Sequence, residues 1–342
     1  MKKLSAILLG ICTVAFMLTS CEGPMGPAGA NGADGANGKD ANETCKKCHN
    51  SGSELVAKEL QWSTSVHASG AHIDRNAYNC AICHTNEGFI ERVATGKDSV
   101  SVPINPTPIS CRTCHKIHTD YDSTDWALRY TDPVQLMINS QKTIDLGDGN
   151  LCAKCHQPRL PSPMPVLGGD SVKITNTHWG PHHGPQSALL KGTGGYEFPG
   201  SVAYTNSKHS TQIANGCITC HMADPVYADE EGPTAGGHTY KVADDNGKIN
   251  TNGCLSCHSN ATDLNNTITA KQTEIEGLLS QLETKLTNAG LLSNGAPVAK
   301  KMSANQAGAV LNFLLVEEDR SGGVHNYNYT KALLQNSIDA SL

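Results

Sequence analysis

The chain has 342 residues, a formal net charge of −6 and 17% charged residues. Its 26 lysines and arginines are scattered and fewer than its 32 aspartates and glutamates, which argues against a nucleic-acid-binding protein. Aromatic residues make up only 5% of the chain, so the composition predicts too little large apolar side-chain area for a conventional core.

Residues 1–20 are predicted to be a secretory signal. Two lysines precede an apolar run from Leu4 to Leu18, which is too short and wrongly flanked for a stable membrane span. The letters "LTSC" at 18–21 resemble a bacterial lipobox, which implies cleavage before Cys21, lipidation of its thiol and a lipid anchor in the membrane. The alternative is an ordinary signal peptide that happens to contain a cysteine. By analogy with other lipoproteins, Glu22 suggests sorting to the outer membrane, on the cell surface or on the periplasmic face.

Residues 21–42 contain glycine at every third position from Gly23 to Gly38, as collagen does. Only Pro24 and Pro27 accompany these glycines, and the repeat is short for a triple helix. We therefore interpret the segment as a flexible tether behind the anchored cysteine, with a trimerising stalk as the alternative.

Residues 43–262 carry the motif C-x-x-C-H six times. The motif is the c-type haem attachment signal, in which two thiols add to the haem vinyl groups and the histidine is the proximal iron ligand. A zinc site, a redox dithiol or a disulfide framework would not require histidine at the fifth position. The sequence thus predicts six covalently attached haems, at Cys45, Cys48 and His49; Cys80, Cys83 and His84; Cys111, Cys114 and His115; Cys152, Cys155 and His156; Cys217, Cys220 and His221; and Cys254, Cys257 and His258.

The predicted fold is mainly α with extensive loops and little sheet, because alternating apolar runs are scarce. Stacked haems would serve as the core of the hexahaem domain, 43–262. Residues 263–342 form a C-terminal helical segment, with helices predicted over Leu264–Ala289, from the capping-box sequence "SANQ" at Ser303, and over about Thr330–Ile338. Gly290 is the expected cap of the first helix. These helices would cover one side of the haem array or pack against a second copy of the chain.

Nine histidines lie outside the six motifs and are candidates for the distal iron ligands. They are His67, His72, His118, His178, His182, His183, His209, His238 and His325. His118 follows the proximal His115 by three residues, so on a helical turn the two share nearly one face. Since His115 holds its own iron, we expect His118 to ligate a neighbouring haem and thereby fix the distance between the two.

The six motifs and several flanking stretches resemble bacterial multihaem c-type cytochromes. The resemblance implies distal ligation by His67 in "WSTSVHAS", near the first haem of such proteins, by His209 in "NSKHSTQIANGCITCHM", and by His238 in "GGHTY". The stretch "DRSGGVHNYNYTKALL" with His325 is similar to the pentahaem ammonia-forming nitrite reductases and their relatives. That family typically attaches its catalytic haem through C-x-x-C-K, and no such motif occurs here. Its scaffold is therefore expected without its open catalytic site.

The stretch "THWGPHHGPQS" offers His178, His182 and His183, of which one or two are expected to bind iron. The sequence does not choose among them, although His182 is preferred. His72 is the weakest candidate of the nine.

These observations predict an extracytoplasmic, lipid-anchored hexahaem cytochrome c that carries electrons through bis-histidine haems. Its partners would be other redox proteins or extracellular electron acceptors, and its negative charge would steer it toward basic patches. One alternative is a reductase of a small nitrogen or sulfur oxyanion at one open haem. A second is a subunit of an extracellular cytochrome filament, which would be a homo-oligomer. An electron-transfer protein is preferred to an enzyme.

Overall fold

The computed structural model describes residues 45–46, 49, 54–69, 73–227 and 233–342. The predicted signal, Cys21 and the glycine-rich tether lie outside these residues, as do Cys48 and His72. Within the described part of the chain, no helix is both long and apolar enough to cross a membrane.

The helices before residue 260 are short, and most of them carry or flank a haem motif. In chain order they are α1 (Glu54–Ser63), α2 (Val66–Ser69), α3 (Tyr78–His84), α4 (Asn86–Thr95), α5 (Cys111–Cys114), α6 (Asn150–Ala153), α7 (Gln186–Leu190), α8 (Lys208–Gln212) and α9 (Cys217–His221). Single 3-10 turns lie at Ser123–Trp126, Gly147–Gly149, Gly237–Thr239 and Thr251–Gly253. Long connections join these elements, as predicted.

Sheet in the described residues is limited to four antiparallel pairs of two or three residues per strand. They are β1 (Val134–Gln135) with β2 (Thr143–Ile144), β3 (Val172–Lys173) with β8 (Lys301–Met302), β4 (Val226–Tyr227) with β5 (Pro233–Ala235), and β6 (Leu292–Ser293) with β7 (Ala296–Pro297). The predicted fold class, mainly α with loops and little sheet, is confirmed in this respect.

The three helices predicted after residue 263 are present, as α10 (Ala261–Asn288), α11 (Ala304–Asp319) and α12 (Tyr327–Asp339). The capping box at the start of α11 forms as expected: Gln306 N donates to Ser303 Oγ at 3.1 Å, and Ser303 N donates to Gln306 Oε1 at 3.0 Å. Gly290, just beyond α10, has φ +68°, the left-handed conformation that glycine adopts without strain.

A conventional hydrophobic core exists, and the prediction that the chain could not form one is wrong. The apolar faces of α10, α11 and α12 pack with residues of 134–198, which lie mostly in loops. Among the core residues are Leu136, Leu146, Leu282, Val310 and Leu334, each at most 1% exposed. The composition was misleading because aliphatic side chains, with few aromatic ones, fill this core. The helices of 263–342 thus share their core with residues of 134–198, and the domain boundary at 262 stays a sequence prediction.

Buried asparagines fasten α11 and α12 to the loop of residues 190–207. Asn312 accepts from Tyr196 N at 2.7 Å, and its Nδ2 donates to Tyr196 O at 2.7 Å and to Ser337 Oγ at 2.9 Å. Asn336 similarly accepts from the backbone N of Val202 and donates to its O. Because a side-chain amide offers both donor and acceptor, it satisfies backbone groups that a buried loop would otherwise leave unpaired.

Candidate haem-binding sites

Each of the six motif histidines lies opposite one histidine from elsewhere in the chain. We name the pairs by motif order: site 1 is His49 with His118, site 2 is His84 with His182, site 3 is His115 with His238, site 4 is His156 with His67, site 5 is His221 with His325, and site 6 is His258 with His209. Their ring centroids are separated by 6.1, 6.0, 6.3, 6.1, 6.3 and 6.2 Å in that order.

This narrow range fits two imidazoles on opposite sides of one metal ion. A metal–imidazole bond is about 2 Å long and the nitrogen lies roughly 1.1 Å from its ring centre, so axial rings have centroids about 6.2 Å apart. Rings in direct contact would lie closer together, as those of His182 and His183 do at 4.9 Å. The donor sets therefore fit haem iron with two axial histidines.

Hydrogen bonds at Nδ1 prepare several of these imidazoles for ligation through Nε2. Nδ1 of His115, His209 and His221 donates to the backbone carbonyls of Trp126, Val324 and Tyr240, at 2.7, 2.7 and 2.9 Å. A carbonyl can only accept, so the ring proton is on Nδ1 and the Nε2 lone pair is free for a metal. Such a partner also fixes the orientation of the ring.

Burial keeps three distal candidates in the neutral form that a metal requires. Removal from water lowers the pKa of His67, His182 and His238 to about 4 in each case. Nearby imidazoles lower it further: His156 acts on His67, and His115 on His238. Since a protonated imidazole cannot ligate iron, these environments favour binding.

His118 lies against His49 of the first motif and not against His115 of the motif beside it. The helical turn predicted for His118 is absent. Helix α5 ends at Cys114, and His118 has φ +61° in a tight turn. The buried carboxylate of Asp125 holds this turn by accepting from the backbone N of His118 at 2.8 Å and, within 3.2 Å, from those of Thr119, Asp120 and Tyr121. Four backbone donors satisfied by one carboxylate replace the hydrogen bonds that a helix would have supplied.

His67 lies opposite the fourth motif, at His156, whereas the sequence resemblance associated it with the first haem. Of the three histidines in 178–183, His182 lies opposite His84, as the sequence analysis preferred. His183 instead donates from Nδ1 to Glu318 Oε1 at 2.7 Å, and His178 is exposed. The rings of His182 and His183 lie 4.9 Å apart, but they contact different partners, His84 and Glu318.

Contacts of the motif cysteines place neighbouring sites side by side. Cys83 Sγ of site 2 donates to Lys154 O, next to Cys155, at 4.0 Å, and Cys155 Sγ of site 4 donates to Ile82 O, next to Cys83, at 3.9 Å. The thiol of Cys152 of site 4 raises the pKa of Cys217 of site 5. The fully buried Arg92 lies at the first junction and donates from Nη1 to Cys83 Sγ at 3.8 Å. The described cysteines are all free thiols, as thioether attachment to haem requires.

Tyr240 joins three sites. Its ring centroid lies 4.9 Å from that of His67 and 5.9 Å from that of His238, and its carbonyl holds His221. Sites 3, 4 and 5 therefore meet around one residue. Sites 5 and 6 also adjoin, because His209 bonds to the carbonyl of Val324, next to His325. Together with the turn that links His115 to His118, these contacts connect sites 1, 3, 4, 5 and 6, with site 2 beside site 4.

No protein-family model matches the chain, and no curated protein is similar to it. The crystal structure of the outer cell wall cytochrome OcwA matches 82% of the chain, with a TM-score of 0.53 and 21% sequence identity. The chain shares its fold with part of that protein. The match covers 49% of OcwA, so this chain spans about half the length of that protein.

Several large exposed apolar side chains lie beside the candidate sites. Val66 (72% exposed) precedes His67, Tyr78 (61%) lies near Cys80, and Leu255 (40%) lies between Cys254 and Cys257. Tyr121 (63%) stacks on His118, with ring centroids 5.6 Å apart. Apolar groups in these positions fit the flat apolar face of a porphyrin.

Three residues of the sites were missed by sequence reasoning: Tyr240, Asp125 and Asp319. Tyr240 stands two positions after His238, but an isolated tyrosine gives no signal of its three contacts. Asp125 follows the third motif in a loop, where the spacing between two residues does not predict a contact. Asp319 accepts from Nδ1 of His325 at 2.7 Å, and its position in the sequence gives no signal of this contact.

Proposed function

We propose that the protein is an extracytoplasmic hexahaem cytochrome c that carries electrons. The observation that supports this most strongly is the set of six histidine pairs with centroids 6.0–6.3 Å apart. Each pair combines a motif histidine with one distant histidine, so each iron would have both axial positions filled by this chain. The bound haems would supply one-electron transfer between neighbouring irons.

In this proposal the chain's own residues hold the cofactors and set their spacing. Paired cysteines of each C-x-x-C-H motif would form the thioether bonds, and the histidines of sites 1 to 6 would be the axial ligands. Shared residues such as Tyr240, the contacts of Cys83 and Cys155, and the turn of His115 and His118 keep adjacent sites together. Because site 4 contacts sites 2, 3 and 5, we propose it as a branch point of the electron path.

The exposed sites of this row would be where electrons enter and leave. The exposed histidines are His49 and His118 of site 1, His182 of site 2, His156 of site 4 and His258 of site 6, whereas the histidines of sites 3 and 5 are half-buried. Redox proteins or extracellular acceptors would dock there. The similar fold of an outer cell wall cytochrome supports a location outside the cytoplasm. The lipid anchor at Cys21, display at the outer membrane and assembly into filaments rest on the sequence alone.

Carbon monoxide binding tests the carrier against a reductase with an open haem. In the fully reduced protein, iron with two histidines should not bind carbon monoxide, so the visible spectrum should remain unchanged. A reductase of a nitrogen or sulfur oxyanion would bind it at one haem in six. Mass spectrometry of the same sample should show six covalent haems, and fewer in a fully matured sample would refute the proposed count.

A Cys21→Ser variant tests the anchor separately. Without the thiol no lipid can be attached, so the mature protein should move from the membrane fraction to the soluble fraction. If the variant remains bound like the wild type, the anchor lies elsewhere in the molecule. Sedimentation of the soluble variant across protein concentrations then tests the filament, which would grow with concentration.

A further inference from the structure

The C-terminal end of α11 carries a buried carboxylate in an unfavourable position. Asp319 is the last residue of the helix and its side chain is only 1% exposed. The last carbonyls of a helix carry partial negative charge, so an anion at this end is destabilising. Burial of a carboxylate adds a further penalty unless it is well hydrogen-bonded. Helix stability therefore does not explain Asp319.

Both carboxylate oxygens of Asp319 are engaged on the side of site 5. Oδ1 accepts from His325 Nδ1 at 2.7 Å, and Oδ2 accepts a short hydrogen bond from Ser321 Oγ. Ser321 Oγ in turn accepts from the backbone N of His325 at 3.3 Å.

A carboxylate acceptor differs in kind from the carbonyl acceptors found at three other candidate ligands. The opposite ligand of site 5, His221, donates to the carbonyl of Tyr240, and His115 and His209 likewise donate to carbonyls. A full negative charge at Nδ1 makes an imidazole a stronger electron donor through Nε2 than a neutral carbonyl does. A more basic axial ligand stabilises ferric iron relative to ferrous iron and so lowers the potential.

We propose that Asp319 is a positioning residue that lowers the reduction potential of the haem held at site 5. The inference rests on the proposed function, because it requires a haem between His221 and His325. The inference adds that a buried charge, acting through the axial ligand His325, lowers the reduction potential of one haem in the row. Site 5 adjoins sites 4 and 6, so this charge would set the energy of the step between them.

The test is a redox titration of the mature holoprotein, followed by visible and electron paramagnetic resonance spectra. Asp319→Asn keeps the shape of the side chain but removes its charge. One midpoint potential should rise by about 59 mV, which is a tenfold shift in the ferric/ferrous equilibrium. The low-spin signal of that haem should change as well. The matched control is Glu318→Gln, which removes the charge of the neighbouring residue, the partner of His183, and should leave the site 5 midpoint unchanged.

A double variant separates action through the ligand from a field through space. His325→Met identifies the midpoint of site 5, because a thioether raises it. Since methionine has no N–H to donate, adding Asp319→Asn to His325→Met should have no further effect on that midpoint. A further rise equal to that of the single variant would overturn the proposed route through His325.

If the Asp319→Asn variant does not acquire its haems, Ser321→Ala provides a second test. Loss of the hydroxyl donor leaves more negative charge for His325, so the site 5 midpoint should fall, with all six haems retained. If neither variant moves any midpoint while the wild type shows six low-spin haems, the role of Asp319 is refuted and the proposed function stands. If the wild type lacks a bis-histidine haem at site 5, the proposed function itself fails.

Discussion

The C-terminal helices bury rows of aliphatic side chains, whereas the helices between residues 54 and 127 bury few. Leu282, Leu286, Leu311 and Leu315 are wholly inaccessible, and each belongs to the large core. The described residues of the earlier region contain the small cluster of Ala81, Ile82 and Val100, besides the buried Phe89. Several of its larger apolar side chains are exposed: Val56, Leu60, Val66, Tyr78, Tyr121 and Trp126. The contrast indicates that aliphatic side chains hold the C-terminal helices together, while residues 54–127 require apolar partners of another kind.

Those partners would be the porphyrins. Burial of apolar surface stabilises by about 25 cal/mol per Å², so covering several large side chains contributes several kcal/mol. In the proposed protein, the haems of sites 1 to 4 supply this surface for residues 54–127. Haem attachment and folding would then be one process in this region and separate processes around α10, α11 and α12.

Blocking haem attachment should therefore have the largest effect on stability, and this effect should differ most between the two regions. In a chain with serine at the twelve motif cysteines, hydrogen-exchange protection over 54–127 should fall by roughly a hundredfold or more. Protection over 264–339 should fall much less, because aliphatic packing remains. Exchange measured by mass spectrometry reports both regions in one sample. Equal loss in the two regions would break the comparison.

Asn312→Ala should destabilise the core region without affecting the haems. The substitution leaves the N–H and C=O of Tyr196 unpaired in a buried place, which costs on the order of 3 kcal/mol. Denaturation followed by circular dichroism measures the loss. Asn266→Ala, on the exposed face of α10, is the control and should change stability little. A loss of bound haem in Asn312→Ala would contradict the independence of the two regions.

His118→Met should change site 1 although His118 lies beside the third motif. A thioether stabilises ferrous iron better than imidazole does, so one midpoint should rise by at least about 59 mV. A redox titration of the variant measures this shift. His178→Met, at an exposed and unpaired histidine, should leave all midpoints unchanged. If the six midpoints of His118→Met equal those of the wild type, His118 is not an iron ligand.

Glu274→Gln should have the smallest effect. Glu274 on α10 accepts from Lys331 Nζ at 2.6 Å and from Tyr327 Oη at 2.5 Å, and these bonds lower its pKa. The side chain is 37% exposed, so the stabilisation is about 0.5 kcal/mol. It is present above the pKa of an unfolded glutamate and is lost as the pH falls through the lowered value. Wild type and variant should therefore differ at neutral pH and converge in acid, by denaturant titration at each pH.

The two regions also differ in how far sequence predicts them. The three C-terminal helices follow from apolar periodicity and capping signals, which are local. The contribution of residues 134–198 to the core does not follow from such local signals. Val134, Leu136 and Ile138 lie in a short strand and a loop, without helical spacing. Tertiary packing alone makes them core residues.

At the sites, the motif residues are readable because the chemistry of haem attachment fixes their spacing. The pairing is not readable, because each distal histidine is brought to its partner by loops. His67 lies opposite the fourth motif, and His209 precedes the fifth motif but lies opposite the sixth. His118 was assigned to a neighbouring site for a partly wrong reason. The turn set by Asp125, and no helix, aims it at His49.

The most direct test of the central claim is a spin count on the oxidised mature protein by electron paramagnetic resonance. Six histidine pairs predict six low-spin ferric irons per chain and no high-spin iron. Power-dependent spectra and quantitative integration against the haem concentration would account for signals broadened by coupling between adjacent sites. A high-spin ferric signal of one iron per chain, in protein with six covalent haems, would mean that at least one pair does not bind its iron, and would contradict the account.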